Sequence, residues 1–157
     1  MIRLTHAGAA RSATMVAGLL IALGCTSAHA VVSVAEAWIR PARAGQSTDA
    51  YMELTDSEGA TLTGASTPVA AKVELVASDG RPVAGGVDVP AKRTVMFAPR
   101  ASHLRLARLA RDLDRGARVP LTLRLRNLDG TEHSIDLDAE VRLRSPTEDH
   151  RKAHAHH

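Results

Sequence analysis

The side chains of this sequence best suited to binding chemistry are histidine and methionine, which are ligands of soft metal ions. Met96 precedes His103 by seven residues, and Met52 lies in an earlier apolar segment. Polarizable thioether sulfur together with imidazole suits Cu(I). We therefore take His103 and Met96 as candidate ligands of a soft metal ion. The alternative, which we favour for Met52 and Met96, is that methionine in an apolar strand fills core space.

A second group of candidate metal ligands lies at the end of the chain. His150, His154, His156 and His157 fall within the last eight residues. Neutral imidazoles this close together can chelate Cu(II), Zn or Ni, and the composition does not choose among these metals. The alternatives are a solubilising tail or a terminal tag, and the irregular spacing argues against a tag.

The first thirty residues have the pattern of a secretory signal. Arg3 and Arg11 precede an apolar run from Met15 to Leu23, and small residues follow up to Ala30. We predict cleavage of residues 1–30, export to the periplasm and no stable membrane insertion afterwards. A retained anchor is disfavoured because a membrane helix needs about 20 apolar residues. Lipoprotein processing at Cys25 is the other alternative.

Composition excludes several classes of function. Cys25 is the only cysteine and lies within the predicted signal, so neither a disulfide nor thiol catalysis is expected in the exported protein. The formal charge of +3 falls by two with the signal, which gives no support to nucleic-acid binding. No phosphate loop or nucleophile elbow occurs, and we predict that the protein is not an enzyme.

From Val31 onward, short alternating apolar segments separated by turn residues predict an all-β fold. The clearest pair of strands has Leu121, Leu123 and Leu125 before Asp129-Gly130, and alternating apolar residues from Ile135 to Leu143 after it. This pattern predicts a hairpin with one buried face. Four earlier strands are predicted, at Val31–Ile39, Ala50–Thr55, Lys72–Val76 and Thr94–Ala98.

The segment from Ser102 to Leu113 fits two structures. Leu104 and Leu106 alternate as in a strand, whereas Leu106, Ala110 and Leu113 also fall on one helical face. A helix would carry a stripe of arginines suited to an anionic membrane, although such a stripe is more commonly solvated.

The sequence predicts one folded domain over residues 31–143. Residues 144–157 contain proline, charge and four histidines with almost nothing apolar to bury. We predict that this His-rich tail is disordered.

Several segments in fixed order resemble the PCu(A)C family of periplasmic copper chaperones, over nearly all of Val34 to Val141. The resemblance implies a cupredoxin-like antiparallel Greek-key β-sandwich. It also implies capture of Cu(I) and delivery towards a respiratory oxidase, with a periplasmic copper-pathway or copper-acceptor protein as partner. The segments are Ala37–Arg40, Ala50–Leu54, Gly64–Pro68, Val73–Leu75, Gly85–Pro90, Ser102–Leu104 and Val119–Leu123.

The resemblance also implies a metal site, from which this sequence departs. In the family a histidine directly follows the Val-Glu-Leu strand, a methionine comes some ten residues later, and a His-x-Met pair lies on a later strand. Here Val76 stands at the first histidine position and Arg105 at the last methionine position. The connection 77–82 is short and has no methionine, so only His103 remains.

Three hypotheses from different classes follow. The leading one is an exported copper-handling protein whose metal binding has moved from the sandwich to the His-rich tail. The second is a degenerate family member that binds no metal and acts as a protein-interaction module, through an edge strand. The third is a general divalent-metal buffer, in which the sandwich only carries the tail.

Overall fold

The structure is a computed structural model that describes residues 31–146, and the regular elements between residues 31 and 145 are all strands. The alternating apolar residues form these strands because successive side chains point to opposite faces of a sheet. The nine strands are β1 (Val32–Ile39), β2 (Thr48–Asp56), β3 (Ala60–Ser66), β4 (Ala70–Val76), β5 (Val87–Val89), β6 (Thr94–Phe97), β7 (His103–Leu109), β8 (Arg118–Asn127) and β9 (Glu132–Val141).

The strands follow the order β4-β7-β2-β1-β9-β8-β3-β5, with β6 paired to β2 beyond the end of β7. Every pairing is antiparallel except that of β1 with β9, where Trp38 and Ile39 lie parallel to Glu140 and Val141. Strand β1 thereby joins one group of strands, β4, β7 and β2, to a second group, β9, β8, β3 and β5. The predicted all-β fold is confirmed.

A kink in β1 separates the pairs that it makes with β2. The register shifts between Ala35 and Trp38, and Glu36 within this bulge has a φ of 52°. A positive φ is strained for a residue with a Cβ. The bulge re-aims the side chains that follow it, which places Trp38 beside Tyr51.

The core lies between these two groups of strands, and its side chains are mostly leucine and valine. In β8, Leu121, Leu123 and Leu125 are buried while Arg124 and Arg126 are exposed, as the alternation predicted. Burying one such side chain stabilises the fold by about 1.5–3 kcal/mol relative to leaving it in water. The completely buried large side chains also come from other strands: Ile39, Leu54, Leu62, Leu104 and Leu106.

The predicted C-terminal hairpin is confirmed, with one correction at its end. Strands β8 and β9 pair from Arg118–Glu140 to Arg126–Glu132 around the turn at Asp129-Gly130. The Asp129 carboxylate accepts hydrogen bonds from the hydroxyl and the backbone N–H of Thr131, and both bonds lower the pKa of Asp129. Leu143 was expected to continue the buried alternation, but β9 ends at Val141 and Leu143 is 64% exposed.

The segment from Ser102 to Leu113 is a strand over His103–Leu109, because it hydrogen-bonds on both sides. It pairs with β4 along its length and with β2 at its start. Leu113, which suggested a helical face, lies in the loop after β7. Its side chain is buried in the core, and its backbone forms a bridge with Ala42. The arginines of this segment therefore form no helical stripe.

The strands occupy residues 32–141, inside the predicted domain of 31–143. The predicted signal at 1–30 and the four tail histidines lie outside the described residues. Within residues 31–146 the chain contains no helix of the length and apolarity needed to cross a bilayer.

Candidate functional site

His103 begins β7 and is directly opposite Val76 of β4. The residue is only 6% exposed. Its Nδ1 lies 3.0 Å from the carbonyl oxygen of Ala101, and a carbonyl only accepts, so Nδ1 carries the proton in this hydrogen bond. The other ring nitrogen, Nε2, is buried without a hydrogen-bond partner and lies 3.6 Å from Oδ1 of Asp49. Nε2 is therefore the only ring atom of His103 left for a ligand.

A row of charged side chains crosses three neighbouring strands beside His103. Arg105 of β7 faces Asp49 of β2 on one side and Glu74 of β4 on the other. Arg105 Nε donates to Oδ1 of Asp49 at 3.2 Å. Lys72 Nζ donates to Glu74 at 2.6 Å, and this lysine holds the pKa of Glu74 below its usual value. The guanidinium is thus bound to Asp49 next to the imidazole, with Glu74 as its neighbour on the other strand.

The aromatic ring of Tyr51 lies near His103 and contacts Trp38 in turn. The ring centroid of Tyr51 lies 5.8 Å from that of His103 and 4.6 Å from that of Trp38. The guanidinium carbon of Arg40 stands 5.6 Å from the centre of the Tyr51 ring, within the range of a cation–π contact. Burial raises the pKa of Tyr51, and the nearby Asp49 carboxylate raises it further.

The position that the resemblance implies for copper therefore holds one possible ligand. Val76, at the first histidine position, is an apolar side chain only 1% exposed. Arg105, at the last methionine position, places a fixed positive charge beside His103. No three histidine, cysteine, aspartate or glutamate side chains within residues 31–146 are grouped so that they could hold a metal ion.

The two candidate methionines lie on opposite faces of the sheet. Met52 pairs with Phe97 and is buried at 3%, so the packing role expected for it is correct. Met96 pairs with Glu53 and is 58% exposed, so the expectation that it fills core space is wrong. Residues 96 and 97 alternate as in any strand, and Phe97 takes the core side. A His-Met-Met set built on His103 is not brought together.

Met96 instead lines a small cleft between β1, β2 and β6. The cleft has a volume of about 60 Å³, and His103 is not part of its wall. The backbone after β9 also reaches it, since Ser145 forms part of the lining. Oε2 of Glu36, the residue with positive φ in the β1 bulge, is buried without a hydrogen-bond partner in this wall.

Several of these residues were missed from the sequence. Asp49 could have been found, because alternation around Tyr51 places residues 49, 51 and 53 on one face once β2 is assigned. Glu36 gave no signal, since the bulge that re-aims it contains neither glycine nor proline. The tail candidates His150, His154, His156 and His157 lie outside the described residues.

Comparison with known proteins places this architecture in a family. The sequence model of the LpqE-like family, described as "Putative lipoprotein LpqE-like", matches residues 32–141, which contain all nine strands. The chain belongs to the LpqE-like family. No curated protein sequence matches this LpqE-like chain.

Solved structures similar to this LpqE-like protein include PCuAC domains, which confirms the predicted resemblance and its cupredoxin-like fold. The apo PCuAC domain from PmoF1 is 17% identical with a TM-score of 0.60, over 71% of this chain and 92% of that one. The copper-bound PCuAC domain from PmoF2 is 19% identical with a TM-score of 0.56, over 71% and 93%. The solution structure of CuI-DR1885 from Deinococcus radiodurans is 26% identical with a TM-score of 0.56, over 74% and 83%.

Proposed function

We propose that this LpqE-like protein is an exported copper-handling protein whose copper ligands lie outside the position that the PCu(A)C resemblance implies. The fold supports copper handling, since solved domains that share it include a copper-bound one from PmoF2. The protein then acts by binding and transfer rather than by catalysis. Its partner is an exported copper-acceptor protein, and a respiratory oxidase on an assembly pathway is the acceptor that the resemblance implies.

One observation carries the proposed change of site: Arg105 and Asp49 form an ion pair next to the single remaining histidine. Soft Cu(I) needs sulfur or several imidazoles, and His103 alone supplies one nitrogen. A guanidinium cannot lose its charge in a protein, so it disfavours a second cation at close range. Val76 offers no ligand from the opposite strand.

The His-rich tail supplies the imidazoles that the sandwich lacks. His150, His154, His156 and His157 are close enough in sequence for two or more to bind one copper ion. Binding by a chain segment that must be ordered is weaker than binding by a preformed site, because its conformational entropy is lost on binding. Moderate affinity suits a protein that passes its copper on.

Export is part of the proposal, in one of two forms. Cleavage after Ala30 would release a protein beginning at Val31. The family description names a lipoprotein, which favours the alternative that Cys25 becomes the lipid-modified first residue. Mass spectrometry of the exported protein separates the two, because only the second form retains Cys25 and carries the mass of acyl chains.

A second candidate function is favoured by the absence of a three-ligand metal group among residues 31–146. In this interpretation the sandwich binds no metal and serves as an interaction module for another protein of the copper pathway. The two functions differ in whether any copper binds to the protein. A stable partner recovered in the absence of copper binding would favour the module.

The experiment that tests the proposed function is a copper titration of the exported protein and of the same protein stopped at Pro146. The shortened protein keeps all nine strands, so its circular dichroism spectrum should be unchanged. We expect it to lose copper binding, while His103→Ala in the uncut protein retains it. Undiminished copper binding after removal of residues 147–157 would contradict the proposal.

A further inference from the structure

We propose that a second site, a basic cavity where β9 ends, binds a phosphate ester, and that Arg115 and Arg144 hold the phosphate group. The cavity lies between the loop that joins β7 to β8 and the chain that follows β9. Its lining residues are Arg115, Gly116, Glu140, Arg142, Leu143 and Arg144. None of them belongs to the histidine position on β4 and β7, so the inference does not depend on copper binding.

The charge of the basic cavity is the first observation. Three guanidiniums and one carboxylate line it, which leaves a formal charge of +2. A guanidinium does not lose its proton in a protein, so this charge persists. Clefts lined by charge of one sign concentrate ions of the opposite sign. A phosphate monoester carries about two negative charges and three acceptor oxygens at neutral pH, and it therefore matches the lining.

Arg115 and Arg144 are the guanidiniums open to a ligand. Both residues are exposed, and within residues 31–146 neither forms a hydrogen bond or an ion pair. Guanidinium donors have a planar fork geometry that suits phosphate oxygens, and such charge-assisted bonds are stronger than neutral ones. The two side chains can therefore bind a phosphate group without first breaking a contact within the described sandwich.

The carboxylates near these arginines are already paired with other cations. Oε2 of Glu140 lies 3.2 Å from Nε of Arg142, and Arg118 is directly opposite Glu140 on β8. Asp114 does not line the basic cavity and lies 3.7 Å from the guanidinium of Arg43. The Glu140 ion pair also holds the Arg142 guanidinium in the wall, where its charge adds to the field on a bound anion.

Backbone hydrogen bonds fix the two walls of the basic cavity against each other. The N–H of Gly116 donates to the carbonyl of Val141 at 2.8 Å, and the N–H of Val141 donates to the carbonyl of Ala117 at 2.8 Å. The N–H of Arg142 donates to the carbonyl of Ile39 at 2.9 Å. The backbone that carries the arginines is thus ordered before a ligand arrives, which reduces the entropy lost on binding.

The size and the apolar part of the basic cavity indicate an ester rather than inorganic phosphate. Its volume is about 450 Å³, within the range of small-molecule sites. Leu143 lines it between two arginines and is 64% exposed, so it offers an apolar contact to the organic part of a ligand. A soluble phosphate ester and the headgroup of an anionic lipid both have this chemistry.

The test measures phenyl phosphate binding to the exported protein by calorimetry, at about pH 8, where the phosphate group is fully ionised. We expect the double variant Arg115→Gln with Arg144→Gln to bind at least about tenfold more weakly, because two charge-assisted hydrogen bonds are lost. The matched control is Arg93→Gln with Arg126→Gln, which removes the same charge from two exposed residues outside the cavity. The control should keep the affinity of the parent.

Vesicles distinguish the two sources of the phosphate ester. Cosedimentation compares phosphatidylcholine vesicles with vesicles that also contain phosphatidic acid. Phenyl phosphate binding without vesicle binding identifies a soluble ester, whereas binding to phosphatidic acid that the Arg115–Arg144 double variant loses identifies a headgroup. The inference is refuted if the exported protein binds neither probe, if the double variant keeps full affinity, or if the control loses as much. Each of these results leaves the copper proposal standing, because that proposal uses none of these arginines.

Discussion

Arg105 donates a hydrogen bond from Nε to Oδ1 of Asp49 at 3.2 Å across the β7–β2 pair. The same oxygen lies 3.6 Å from Nε2 of His103. An ion pair therefore stands where the PCu(A)C resemblance implies a methionine, and the remaining histidine faces a carboxylate that is already engaged. The arrangement stabilises the sheet and leaves the imidazole without a second soft ligand.

Restoring two of the three missing ligands should restore copper binding to the sandwich. In the protein stopped at Pro146, Val76→His together with Arg105→Met places a second imidazole opposite His103 and a thioether two residues after it. We expect Cu(I) affinity at least about tenfold above that of the shortened parent, by chelator competition. Arg105→Met alone is the control and should gain much less. A folded double variant with no gain in Cu(I) affinity would show that β4 and β7 do not hold these side chains in positions that bind copper.

The Arg105–Asp49 pair should contribute modestly to stability. Asp49→Asn weakens the hydrogen bond and leaves the guanidinium with only Glu74 as an anionic neighbour. Because the pair is partly exposed, we expect a loss of about 1 kcal/mol in the free energy of unfolding, measured with urea. Asp138→Asn is the control, since Asp138 is exposed on β9. Equal free energies of unfolding in the two variants would show that the Arg105–Asp49 pair does not stabilise the fold.

The pKa of Tyr51 should be higher than that of an ordinary tyrosine. Burial is the main cause of this raised pKa, and the Asp49 carboxylate raises it further. Tyr51 is the only tyrosine of the chain, so ultraviolet absorbance of the phenolate reports it alone. We expect its midpoint above about pH 10, and a lower midpoint in Asp49→Asn.

The same shift predicts how stability depends on pH. A group whose pKa is higher in the folded state than in the unfolded state binds its proton more tightly when folded. Its contribution to stability is complete below the unfolded pKa and is lost as the pH rises through the folded one. Urea unfolding should therefore show falling stability above about pH 10, and a smaller fall in Tyr51→Phe. An equal fall in both proteins would assign the effect to other groups.

Gly86 should tolerate no side chain, whereas its neighbour Gly85 should tolerate one at moderate cost. Both have positive φ, but a Cβ on Gly86 would lie 2.5 Å from the carbonyl oxygen of Leu62, while a Cβ on Gly85 would meet nothing within 4 Å. Gly85→Ala then costs about 1–2 kcal/mol for its backbone conformation alone. Gly86→Ala adds the clash with β3, and we expect a clearly larger loss in urea unfolding. Similar losses would mean that β5 shifts to relieve the contact.

Much of the fold could be predicted from the sequence because alternation determines which face of a strand is buried. Leu121, Leu123 and Leu125 show this, since each lies in the core opposite exposed arginines. Alternation failed where two periods coincide: Leu104 and Leu106 fit a strand, whereas Leu106, Ala110 and Leu113 fit one face of a helix. Pairing with strands far away in sequence decided for the strand, and a short local window contains no information on that pairing.

The candidate site could be predicted only in part. The register places Val76 and His103, which stand at the two histidine positions that the resemblance implies, directly opposite each other. The exposure of Met96 was not predictable, because Met96 and Phe97 are both apolar and only packing decides which of them enters the core. The orientation of Glu36 depends on a bulge with no sequence signature.

The central claim is that copper binds through the His-rich tail and not at the position on β4 and β7. Its most direct test is a competitive Cu(I) titration, under reducing conditions, of the exported protein beside the same protein stopped at Pro146. The account predicts moderate-affinity binding by the first and none by the second, with identical β-sheet spectra. Equal Cu(I) affinity of the shortened protein would contradict it and return the copper site to the sandwich.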